Sequence, residues 1–231
     1  MKRFRFLVYP LTVLGVLICA HWGSCAVSTL AEFAPIARQQ HILIDAGHGG
    51  VDGGAVSCTG IPESQFNLEI ALRLEDLLHL LGYDTAMIRR EDISVYTKGE
   101  TIAQKKISDL KERVRIANTE ENTILLSIHQ NCFPDARYSG AQVFYGSSGK
   151  SQQLAKLLQE AFCQYLTPDN HRKVKKASGV YLMEHITCTG VLIECGFLSN
   201  PAEEARLRSA AYQQKLSCVI ATALNRFLSN T

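Results

Sequence analysis

The sequence predicts an α/β fold: a single domain with a twisted, mostly parallel sheet of about six strands and helices on both faces. Three observations point there. From His41 onward, short apolar runs of strand length alternate with longer amphipathic stretches. The composition, 46% hydrophobic and 20% charged, is that of an ordinary globular chain and excludes a disordered one. The length of 231 residues suits one domain with a full core plus a short extra segment. No internal repeat or low-complexity tract argues for anything else.

The elements follow in order. Residues 42–44 form a short apolar strand running into Asp45-Ala-Gly-His-Gly-Gly, a tight glycine turn. Residues 64–81 place Phe66, Leu68, Ile70, Leu74, Leu77 and Leu78 among polar positions, a helix that Gly82 closes. A second strand spans 85–88. An amphipathic helix over 103–119 is organised around Ile107, Leu110, Val114 and Ala117. Strands follow at 123–128 and 141–145, then a helix at 149–166. Two further apolar runs, 180–183 and 191–193, read as strands, and a helix over 209–228 ends the domain.

The N-terminus has a different logic. Lys2, Arg3 and Arg5 precede an apolar run over 6–20, and no further charge appears until Glu32. A basic start followed by an apolar run is an export signal, and Ser24-Cys-Ala offers small residues for cleavage. The run reaches the lower limit for a spanning helix, so an uncleaved membrane anchor stays open. Residues 1–26 are therefore assigned to a signal peptide or anchor, 27–40 to a linker and 41–231 to the folded domain. The formal net charge of +2 gives no argument for nucleic acid as a partner. Eight cysteines are scattered without a Cys-x-x-Cys pair, which excludes a zinc-ribbon pattern. Several sit in apolar runs, where Cys acts as a small hydrophobe, and free thiols are expected.

In open α/β sheets, ligand sites gather at the carboxyl ends of strands. His48, His129 and Glu194 each follow an apolar strand directly. A lone His there is usually a hydrogen-bonded strand-end residue; two in one domain favour a metal. Glu63, at a helix start after Pro62, reads either as a dipole-stabilised acid or as a carboxylate ligand. Two His and one carboxylate with an open position form a catalytic zinc set. Glu194 ends a buried apolar run, a costly place for an acid unless it is paired or functional. At a zinc site it can take a proton from water and pass it on.

Four ordered motifs now carry a family resemblance. Residues 44–55 (Ile-Asp-Ala-Gly-His-Gly-Gly-Val-Asp-Gly-Gly-Ala), Glu63 with its spacing from His48, 127–131 (Ser-Ile-His-Gln-Asn) and 192–200 (Leu-Ile-Glu-Cys-Gly-Phe-Leu-Ser-Asn) resemble the zinc amidases that cleave N-acetylmuramoyl-L-alanine bonds. The likeness covers about residues 41–229, with further landmarks at Arg90 and over 110–118. It implies one catalytic zinc on His48, Glu63 and His129, with Glu194 as the catalytic acid/base and no other cofactor. Substrate contacts are implied for Asn131, Arg90 and Arg113. The implied reaction is hydrolysis of the amide between the muramic lactyl group and L-alanine of peptidoglycan.

Residues 97–99, 139–145 and 178–183 resemble the sporulation branch, the germination-specific cortex amidases. In that branch the amidase strips peptides from muramic acid, and a deacetylase then allows muramic-δ-lactam to form. The implied partners are peptidoglycan and an accessory protein that aids zinc binding or acts with a deacetylase. Cys195, beside Glu194 in a strand, is expected on the opposite face from the metal. Residue 145 leads within a few residues into the next helix, so the long inserted helix that blocks the zinc in some relatives is not expected. The basic run at 171–176 (His-Arg-Lys-Val-Lys-Lys) reads equally as a solvated face or as an attractor of stem-peptide carboxylates. The rival readings are another peptidoglycan zinc hydrolase and a non-catalytic zinc-containing wall-binding module; Glu194 speaks against the second.

Overall fold

Strand β1 (His41–Ala46) is buried along its length and divides its side chains between two cores: Ile42, Ile44 and Ala46 to one, Leu43 to the other. The computed structural model describes residues 40–230. The expected export segment, and all of the linker but its last residue, lie outside the described residues. Among the described residues no helix is long and apolar enough to cross a membrane.

The strand β1 pairs in parallel with β2 (Asp84–Met87) and with β3 (Thr123–Asn131). Strand β3 pairs in parallel with the last strand of the chain, β6 (Thr189–Phe197). Between them in sequence come β4 (Gln142–Tyr145), antiparallel to β6, and β5 (Lys175–Lys176), parallel to β4. The spatial order is β2-β1-β3-β6-β4-β5. The carboxyl ends of β1, β3 and β6 therefore meet at one edge of the sheet, as the predicted fold requires.

Both faces are covered. Helices α1 (Glu63–Leu80), α3 (Gly149–Tyr165) and α6 (Ala210–Ser229) pack on the face that carries Ile44, Ile128 and Ile193. Helix α2 (Ile102–Ala117) and the short α4 (Tyr181–His185) cover Leu43, Leu125 and Leu192 on the other. Local chemistry sets the helix starts. Thr101 and Gln104 form a reciprocal capping box on α2, and the Ser148 side chain caps α3. Asn200 caps α5 (Pro201–Leu207) by accepting from the amides of Ala202 and Glu203. Residues 146–148 connect β4 to α3.

Three expectations need correction. The run at 180–183, predicted as a strand, is α4. Leu182 and Met183 are both buried, and adjacent residues of a strand point to opposite faces, whereas a helical turn can bury both on one side. The sixth strand lies instead in the basic run, where exposed Lys175 and Lys176 cap the sheet edge, a charge placement that discourages pairing with another chain. Helix α5, too short to show a period, was not foreseen. The six cysteines among the described residues are free thiols.

Candidate metal centre

The turn after β1 is built from backbone that few side chains tolerate. His48 adopts φ 60°, in the left-handed region that non-glycine residues seldom occupy. A Cβ on Gly47 would lie 2.2 Å from His129 Nε2, so only glycine lets the His129 ring pack against the turn. A Cβ on Gly54 would lie 2.6 Å from Glu63 Oε2 and 2.7 Å from the His48 ring.

Two buried arginines pin this turn from below. Arg89 donates from Nε to the Ala46 carbonyl and from NH2 to the carbonyls of Gly47 and Ser64. Arg113, on α2, donates from NH2 to the His48 carbonyl at 2.7 Å and from NH1 to the Ala46 carbonyl. It also pairs with buried Asp45, which accepts from Ser127 Oγ as well, and with Asp109 at 2.6 Å. Burial raises the cost of charge on Asp45, but Arg113, His129 and Ser127 together outweigh it and hold that carboxyl below its usual range. On Arg113 burial is likewise overcome by Asp45 and Asp109, which raise its pKa.

Both arginines expected at the substrate are engaged in ion pairs within the fold. Arg113 was expected to touch substrate; its side chain is 3% exposed and its donors hold Asp45, Asp109 and the His48 turn. Arg90 was also expected there. Its guanidinium pairs at 2.5 Å with buried Glu75, which is three helical turns, about 18 Å, along α1 from Glu63. Its neighbour Arg89, which the sequence reading did not single out, is the one under the site. Arg113→Met is expected to cost about 3–5 kcal/mol, because Asp45 would stay buried without its cation. Thermal melting of the metal-free variant against wild type checks this. A loss no larger than that of a surface pair, about 1 kcal/mol, would show that the network is not structural.

Above the turn, three side chains from three elements converge. Glu63 opens α1, His129 comes from β3 and His48 from the turn; one donor atom from each lies within 4.8 Å of the others. The His48 Nε2 is 3.3 Å from Glu63 Oε2, and the His129 Nδ1 is 3.0 Å from Glu63 Oε1. The remaining capacity of the Glu63 carboxylate is met by the amides of Ala55 and Gln130 and by Asn67 Nδ2. Burial opposes its charge, yet the hydrogen bonds to His129 and His48 hold Glu63 far below the usual carboxylate range. His48 Nδ1 faces Asp52 at 2.9 Å, and Lys106 braces Asp52 from α2. That contact fixes the His48 ring and leaves Nε2 toward Glu63. Lone pairs on ring nitrogens and carboxylate oxygens cannot approach this closely unless something positive lies between them. A proton or a cation serves, and the donor set suits a divalent metal.

Glu194 completes the edge. It lies opposite His129 in the β3–β6 register. Its Oε2 is buried and has no hydrogen-bond partner among the described residues. Burial dominates its surroundings and pushes the carboxyl up to about 7, with His129 and His48 pulling down and Glu63 pushing up. Cys195 points to the opposite core, where burial raises its thiol. Asn131 is half-buried at the end of β3.

A family profile described as N-acetylmuramoyl-L-alanine amidase matches residues 42–226. The chain belongs to the N-acetylmuramoyl-L-alanine amidase family. It is a peptidoglycan amidase. The enzyme is 37% identical over 190 residues to the germination-specific N-acetylmuramoyl-L-alanine amidase of Bacillus subtilis, an alignment covering 81% of this chain and 79% of that one. Among solved structures it is similar to the CwlD amidase from Clostridioides difficile in complex with the GerS lipoprotein. There the TM-score is 0.80 at 35% identity, covering 84% of this chain and 100% of that one. An N-acetylmuramoyl-L-alanine amidase from Clostridium difficile 630 gives a TM-score of 0.73 at 26% identity, covering 83% and 98%. The amidase shares their α/β architecture, with its donor cluster at the carboxyl edge of the sheet.

Proposed function

We propose that this amidase is a zinc enzyme in which His48, Glu63 and His129 hold the ion and Glu194 moves the proton. One observation carries the reading: a buried carboxylate oxygen, without a partner among the described residues, stands beside three convergent metal donors. When bound there, zinc would polarise the attacking water and the scissile carbonyl. Glu194 accepts the proton of that water and delivers it to the L-alanine nitrogen as the carbon–nitrogen bond breaks. A group doing both works best with a pKa near the working pH; in the metal-free protein burial raises the Glu194 carboxyl in that direction, and a bound cation would draw it back down. The products are a free lactyl carboxylate on muramic acid and a peptide with a new N-terminal alanine. Asp52 orients His48, Arg89 and Arg113 fix the turn, and Asn131 contacts the substrate at the mouth.

The finer role is in spore cortex. The named relatives support it: one is germination-specific by name, and the other was solved with a lipoprotein. In this reading the amidase strips peptides from muramic acid and a deacetylase follows, so that muramic-δ-lactam forms. An accessory protein aids zinc binding or acts alongside. The N-terminal segment exports the enzyme, and the domain works outside the cytoplasm, released or held at the membrane.

The test is digestion of purified peptidoglycan with and without a chelator, with products read by mass spectrometry. Free lactyl carboxylate and N-terminal alanine should form, and chelation should abolish both. Cleavage between stem-peptide residues would show a different hydrolase. Binding without any cleavage would favour the wall-binding module.

A further inference from the structure

We propose that Phe133 and Tyr138 form a sugar-stacking platform that holds the glycan strand of peptidoglycan beside Glu194. This rests on the peptidoglycan-amidase reading and adds to it where the chain of sugars lies.

Single exposed apolar residues are ordinary. These two are a cluster. Phe133 and Tyr138 are 48% and 47% exposed, and their rings meet edge to face at 4.7 Å. Tyr138 in turn lies over buried Phe197, with centroids 6.2 Å apart and planes 28° from parallel. The Arg172 guanidinium sits 4.5 Å from the Phe197 ring and 5.9 Å from that of Tyr138.

The loop carrying the rings is tied down on every side. Asn200 Nδ2 donates to the carbonyls of Ala136 and Tyr138. The Phe133 amide donates to Ser199 Oγ, and the Gly140 amide to the Glu203 carboxylate. Arg172 Nε donates to the Ser139 carbonyl. Two large rings are thus held toward solvent before anything binds, which removes the ordering cost from a binding event.

Position links the platform to the chemistry. Phe133 is four residues beyond His129 on the β3 side, and Phe197 is three beyond Glu194 in β6. At strand spacing these are at most about 13 Å and about 10 Å. The scissile amide hangs from a muramic ring, so the strand bearing that ring must pass close to Glu194.

The chemistry of the rim selects sugar over stem peptide. An aromatic face is negative and attracts the polarised C–H face of a pyranose, while the hydroxyls stay in water. An acidic peptide would need free cations. The loop's own cation is neutralised, Arg137 pairing with Asp135 at 2.7 Å; Arg172 keeps its charge but spends donors on holding the loop, to the Ser139 carbonyl and to Gln142 Oε1.

The experiment compares two substrates. One is a soluble glycan strand of several disaccharides bearing stem peptides; the other is a single disaccharide-peptide. For Tyr138→Ala and Phe133→Ala, KM on the long strand should rise about five- to tenfold, the loss of one aromatic face. The kcat on that strand and both constants on the short substrate should match wild type. Tyr138→Phe, which keeps the ring, should behave as wild type. Equal losses on both substrates, or no change on either, would overturn the platform. If wild type with zinc cut neither substrate, the amidase reading would fail instead. Binding of peptide-free glycan strands to wild type and variants would then decide the platform separately: weaker binding by the variants supports it, and equal binding refutes it.

Discussion

Glu194→Gln is expected to bind zinc as wild type does and to hydrolyse peptidoglycan about 10²- to 10⁴-fold more slowly, the usual worth of a positioned acid/base group. The substitution keeps the shape and removes the ability to accept a proton. Because Glu194 lies opposite His129 and outside the donor cluster, metal content should not change. The same change should alter stability in a direction set by pH. Burial raises the Glu194 pKa from about 4.5 to about 7 in the metal-free protein. A carboxyl whose folded pKa is raised costs stability once the unfolded form ionises, so the cost grows between those two values and then levels. The metal-free variant should therefore melt higher than wild type, with a difference that widens from pH 4.5 to about 7 and is flat above. Such a gain on removing a functional group is the familiar trade of stability against activity. A variant that retained zinc and full cleavage would sink the mechanism. A melting difference independent of pH would show that Glu194 is not strained by burial.

The sheet was legible because its strands bury both faces. Runs such as residues 124–128 read as apolar segments broken only by Ser127, and their partners follow from the alternation with helices. The donors were legible because each sits at a strand end or helix start next to a motif, where the fold itself directs ligands. What was not legible depended on three-dimensional neighbours. Residues 180–183 are apolar and short, and nothing in four residues separates a strand from one helical turn. Arg89 and Arg90 are chemically identical in the sequence; only the path of the chain after β2 sends one beneath the turn and the other to Glu75. Arg113 was read, from the family resemblance, as a substrate contact on an amphipathic helix. Its burial becomes intelligible only once Asp45 and Asp109 are seen to neutralise it.

Glu63→Ala is expected to abolish both hydrolysis and the stabilisation that zinc confers. Glu63 is the middle of the donor set, in contact with His48 on one oxygen and His129 on the other. Without it two histidines remain, too few for a closed or catalytic zinc site. For wild type, zinc at about 100 times its Kd should add about 2.7 kcal/mol, raising Tm by roughly 2–4 °C per kcal/mol for a domain of this size. The pH dependence follows from the metal-free charges. Burial disfavours the His48 cation, but Glu63 and then Asp52 raise its pKa above the ordinary value of 6.5. A raised histidine stabilises the fold at low pH and loses that contribution as pH rises through its folded pKa. Glu63, held far below its usual range, stays charged throughout. In metal-free protein the proton on His48 therefore does the work of the ion, and below the folded pKa it competes with zinc, weakening affinity about tenfold per pH unit for each proton displaced. The zinc-induced rise in Tm at a fixed zinc concentration should grow with pH through that value and then level. Glu63→Ala should show no zinc-induced rise at any pH. Should the variant keep the wild-type increment, zinc would have to be held elsewhere, and His48, Glu63 and His129 would be left as a hydrogen-bonded cluster of the metal-free fold.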